Sequence, residues 1–71
     1  MEGLTTGRMV HFVYEERHCA AVVTQVWGSN GTVNLHVFKD GSYPTVPETP
    51  TSVVFNDDTK PNHTWHWIEK A

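Results

Sequence analysis

Cys19-Ala20-Ala21-Val22-Val23-Thr24-Gln25-Val26-Trp27 and Thr32-Val33-Asn34-Leu35-His36-Val37-Phe38 flank the tetrapeptide Gly28-Ser29-Asn30-Gly31. Both runs are rich in β-branched residues, and Asn-Gly between them favours the positive φ angles of tight hairpin turns. The two runs are therefore expected to be antiparallel neighbours. In the second, strict alternation puts Val33, Leu35 and Val37 on a core face and turns Asn34 and His36 outward. The first is apolar on both faces over its first half, which reads as a central, buried strand. Its alanine pair implies close approach by something larger.

Outward from this hairpin the period of two persists. Arg8-Met9-Val10-His11-Phe12-Val13-Tyr14 reads as a first strand that stops at a charged turn, Glu15-Glu16-Arg17. Beyond the hairpin, Lys39-Asp40-Gly41-Ser42 is a further turn sequence. Residues 43–50 hold Pro44, Pro47 and Pro50, which exclude a central strand and predict an extended edge or loop. Thr51-Ser52-Val53-Val54-Phe55 is a fourth strand, followed by a polar turn over 56–62. The fifth, Thr64-Trp65-His66-Trp67-Ile68, puts both indoles on one face and Thr64, His66 and Ile68 on the other. Such aromatic mass near the end of the sequence implies that this segment is docked.

Five short strands and no helical period predict an all-β fold, a small five-stranded antiparallel barrel or curved sheet of the Src-homology-3 type. An oligonucleotide-binding barrel is the alternative. One domain over residues 1–71 accommodates the whole pattern, with 43–50 as its Pro-rich loop or edge. A core of this size is marginal, since a chain of roughly 60 residues buries only about 60% of its unfolded surface. Disulfides, a metal or a partner subunit usually support such domains. With one cysteine, Cys19, an internal disulfide is impossible. Self-association is the favoured support, so a homo-oligomer is expected, in a reducing, cytoplasmic setting.

Five Lys and Arg against eight Asp and Glu give a net charge of −3. That balance argues against gripping long nucleic acid, though a small phosphorylated ligand needs only one or two local cations. No apolar run approaches membrane-spanning length, and no basic leader with an apolar run follows the first methionine. The sequons at Asn30 and Asn62 read as turn chemistry.

Histidines 11, 18, 36, 63 and 66 raise the question of a metal. In a strand, His63 and His66 face opposite ways, and His11, His36 and His66 lie on three different strands that converge only if the register allows it. Packing or hydrogen-bonding histidines are the favoured reading, with no metal and no cofactor. Cys19 reads as a small buried hydrophobe, and Glu15-Glu16 and Asp57-Asp58 as solvated turn residues. No phosphate loop, nucleophile elbow or His-Glu-x-x-His pattern occurs. The better constellation is a ligand-binding one: Arg8 for phosphate, His11, Asn34, His36 and His66 for polar contacts, and Trp65 or Trp27 for stacking.

The segments Gly7-Arg8-x-Val10-His11-Phe12-Val13, Ala20-Ala21-Val22-Val23-Thr24-x-Val26-Trp27, Gly31-Thr32-Val33-Asn34-Leu35-His36-Val37-Phe38 and Thr64-Trp65-His66-Trp67 resemble a group of very short proteins encoded in bacteriophage genomes. The resemblance covers most of the chain except the Pro-rich stretch and the two ends. It implies a phage origin and a compact β fold and transfers no activity residue by residue; since many very short phage proteins act stoichiometrically, a non-enzymatic binding role in the host cell is expected. The expected partner is a host protein or a sequestered phosphorylated nucleotide signal, an anti-defence action being the most concrete form. A metal-dependent hydrolase and a structural accessory phage protein are the alternatives.

Overall fold

The computed structural model describes residues 1–39, 41 and 45–69. Five strands form: β1 (Met9–Tyr14), β2 (Arg17–Trp27), β3 (Thr32–Val37), β4 (Val54–Phe55) and β5 (Thr64–His66). They make one sheet in the order β3-β2-β1-β5-β4. Among the described residues there is no helix, and none long and apolar enough to cross a membrane.

The Asn-Gly hairpin joins β2 and β3 as expected, antiparallel from Trp27 opposite Thr32 to Ala21 opposite Val37, with a register shift between Val23 and Gln25. Gly31 stands at φ 88°, and a Cβ there would lie 2.9 Å from Met1 Cε and 3.0 Å from the Phe55 Cβ. Glycine at this site is needed both for the dihedral and for the space.

The preceding turn is tighter than its sequence suggests. Tyr14 pairs with Arg17, so only Glu15 and Glu16 form the loop, at φ 48° and 68°. Positive φ at both positions matches the mirror-image turn that suits the twist of flanking strands, yet it is a conformation in which a side chain is strained. Replacing the pair by Asn-Gly is expected to stabilise the protein by about 1 kcal/mol, raising Tm by roughly 4–8 °C. Scanning calorimetry checks this, and an unchanged Tm would show that the glutamates are unstrained.

One strand pairing departs from the antiparallel expectation: β4 runs parallel to β5, with Val54 opposite Thr64 and Phe55 opposite Trp65. The cause is the curl of the sheet. After the Pro-rich stretch the chain lies along the free edge of β3, where Pro50 O accepts from Leu35 N, Glu48 O from Val37 N, and Val33 and Val53 exchange two bonds. The sheet thus curls into a half-barrel whose first edge meets the chain just before β4. Alternating directions close a ring only with an even number of strands, so five strands leave one parallel contact. Prolines suit the edge segment because they donate nothing to the ladder. Tyr43 and Pro44, with Asp40 and Ser42 of the expected 39–42 turn, lie outside the described residues.

The core fills the concave face: Val10, Phe12, Ala21, Val23, Val33, Leu35, Val37, Val46, Val53 and Trp65. Val33, Leu35 and Val37 point inward as alternation predicts. The second strand is interior in the order, between β3 and β1, but buried on one face only, since Ala20 and Thr24 are exposed. Trp65 is fully buried and donates its Nε1 hydrogen to Gly31 O at 2.6 Å. Trp67 meets it edge-on, ring centroids 5.1 Å apart.

Candidate metal centre

Three histidines converge on the opposite, outer face. His11 of β1 pairs directly with His66 of β5. On the other side of β1, His18 of β2 pairs with Val13, one outward position along from His11, whose own partner is Ala20. Residues two apart on a strand share a face, so three adjacent strands each present one imidazole there. Ring centroids are 5.6 Å apart for His11 and His66, 4.6 Å for His18 and His66, and 6.0 Å for His11 and His18.

Beyond β5 the chain leaves the sheet and brings Glu69 back over this face. Its Oε1 lies 2.6 Å from His11 Nδ1, and its Oε2 lies 2.5 Å from His18 Nδ1 and 2.8 Å from His66 Nε2. Lys60 Nζ approaches Oε2 at 3.7 Å and Asp57 Oδ1 at 3.8 Å. His66 is wholly buried beneath this cover, whereas the side chains of His18 and Glu69 are 37% and 35% exposed. One donor atom from each of His11, His18, His66 and Glu69 can be chosen so that all lie within 4.8 Å of one another.

The electrostatics match the geometry. Burial pushes the His66 pKa down, against the opposing pull of its hydrogen bond and charge contact with Glu69. A neutral His66 then donates from Nε2 to Glu69, leaving Nδ1 as a lone pair with no hydrogen-bond partner among the described residues. For Glu69, desolvation acts upward, but its own backbone N–H and the hydrogen bonds of His11 and His66 prevail and take its pKa to about 2.

These shifts give stability a pH dependence of definite sign. Unfolded His66 takes up a proton below its ordinary 6.5 while the folded residue resists, so stability present above pH 6.5 declines as pH falls below it. Glu69 adds a second decline as pH drops from 4.5 toward 2. Thermal melts of the metal-free protein should show both, and His66→Gln should remove the upper one. A Tm that rises on acidification through 6.5 would contradict the assignment.

Of the six residues expected to bind a ligand, the structure joins His11 and His66 and separates the rest. Arg8 lies over the Trp67 ring at 5.1 Å. Asn34 accepts from Trp27 Nε1 and from Ser52 N, both at 2.9 Å, and His36 meets Phe38 edge-on. Trp65 offers no face for stacking because it is inside the core. His66 does not neighbour His36 and Asn34, because β5 docks on β1, two strands away from β3.

The sequence counts His18 among the five histidines without placing it beside His11 and His66, and it does not single out Glu69. A two-residue turn at Glu15-Glu16 would have put His18 on a strand, facing away from Cys19. Glu69 carries no such signal, since three residues beyond His66 in a continuous strand it would face the other way. Next to the cluster, a cavity of about 140 Å³ is lined by Arg17, His18, Cys19, Ala20, Phe38, Lys39 and Val46. No protein-family model, no curated protein and no solved structure matches the chain.

Proposed function

We propose that this chain is a metal-binding β domain in which His11, His18, His66 and Glu69 take up one divalent transition ion, zinc first by donor type. The observation that carries this is the convergence of four donors within 4.8 Å, three of them from adjacent strands. Tetrahedral zinc with bonds of about 2.0–2.1 Å needs donors roughly 3.3 Å apart, so a modest retreat of the carboxylate makes room for the ion. Imidazole and carboxylate suit zinc, copper and nickel, and the buried His66, whose pKa is lowered, has no excess proton to shed before it binds an ion through its unprotonated nitrogen.

Metal here would tie β1, β2 and β5 together with the segment after β5, in a chain whose core is small. Four protein donors fill a tetrahedron, which favours holding over turnover. The stoichiometric role expected of a very short phage protein is compatible with that chemistry.

Elemental analysis of protein purified without chelator, followed by zinc titration calorimetry, tests the proposal. One ion per chain is expected, and His18→Ala should weaken binding by about 10–100-fold or more. Absence of zinc, cobalt and nickel uptake in the micromolar range would refute it.

A further inference from the structure

We infer that the fourth ligand, Glu69, is a replaceable one, and that the metal centre is a receptor for a phosphate-type oxyanion. The inference rests on the metal-binding reading above and goes beyond it. The four donors are unequal in their support. His11, His18 and His66 stand on β1, β2 and β5, whose backbone pairing holds the imidazoles in place. Glu69 lies past the end of β5, outside any strand, with a side chain 35% exposed. It is also the one anion in the set, so it occupies the position that an external oxygen anion would take.

Charge points the same way. A dication and Lys60, set against Glu69 and Asp57, leave the centre with one positive charge, and departure of Glu69 raises it further. Lys60, 3.7 Å from Glu69 Oε2, is placed to pair with whichever oxygen anion sits there. An incoming phosphate would form a metal–oxygen bond as the metal–Glu69 bond breaks, the carboxylate passing to solvent as an anion. Phosphate, carrying more charge than a carboxylate, fits this surplus better than acetate does. The phosphorylated ligand expected from the sequence thereby has a seat on the histidine cluster instead of at Arg8 and His36.

Cobalt-loaded protein provides the test, because visible absorption reports changes in the ligands of the ion. Inorganic phosphate, with sodium acetate as the comparison, is titrated into wild type, Glu69→Ala and Lys60→Gln at constant ionic strength. Saturable spectral change with phosphate is expected, at lower concentration than with acetate. Removal of the internal competitor in Glu69→Ala should tighten phosphate binding about tenfold or more, whereas Lys60→Gln should weaken it several-fold. Equal phosphate affinity in Glu69→Ala and wild type would overturn the inference, and so would loss of cobalt from Glu69→Ala, which would make that carboxylate an obligatory ligand. Failure of the wild type to take up cobalt at all, seen before any phosphate is added, strikes instead at the metal-binding reading.

Discussion

Trp65→Ala is expected to cost about 3–5 kcal/mol, and with it most of the folded population at ambient temperature. A domain of this length holds roughly 4–11 kcal/mol in total. Trp65 is the largest fully buried side chain and sits among Phe55, Trp67 and the valines of the core. The substitution empties that volume, and it also leaves Gly31 O without the indole hydrogen it accepts at 2.6 Å. Because Gly31 closes the β2–β3 hairpin and Trp65 belongs to β5, the bond ties two distant parts of the sheet. Trp65→Phe separates the contributions: most of the apolar contact survives, the hydrogen bond does not, and a loss of about 1–2 kcal/mol is expected. Urea unfolding followed by circular dichroism measures both. An alanine variant with an unfolding midpoint close to that of the wild type would show that Trp65 is not the keystone of this core.

Zinc at a hundredfold excess over its Kd should raise stability by about 2.7 kcal/mol, because an ion that binds only the folded chain draws the equilibrium toward it. For a domain of this size that corresponds to a Tm higher by roughly 10–20 °C. The discriminating variant is His18→Ala, since His18 is exposed and its removal opens no cavity in the core. This variant should fold and melt near the metal-free wild type, while losing most of the zinc-dependent rise. Differential scanning fluorimetry with and without zinc reads the effect. A rise of equal size in His18→Ala would place the ion elsewhere on the chain.

How much of this was legible in advance differs by element. The β2–β3 hairpin follows from Asn30-Gly31, and the inward set Val33, Leu35 and Val37 from alternation, both confirmed by register and burial. Prolines at 47 and 50 placed the edge segment outside the centre of the sheet, and it lies along β3 as an edge. The candidate site was half legible. His11 and His66 are singled out, but in the company of Asn34 and His36, which the sheet order places on β3, of Trp65, which shares β5 with His66 but points into the core, and of Arg8, which lies over Trp67. His66 was read as outward-facing, and it does lie opposite the core, yet Glu69 and two other histidines cover it completely.

What the sequence by itself determined is what covalent geometry makes local. A period of two assigns each side chain to a face, and Gly, Asn and Pro mark where the chain turns or cannot donate. Only the tertiary structure decided which strands became neighbours beyond the hairpin. Pairing order depends on how the whole chain buries Trp65 and its valines, and that requirement couples residues dozens of positions apart. It set β5 against β1, made the fifth strand parallel to β4, and brought Glu69 back across the sheet. The histidines were spread through the sequence, and it is the curl of the sheet that gathered three of them around one carboxylate.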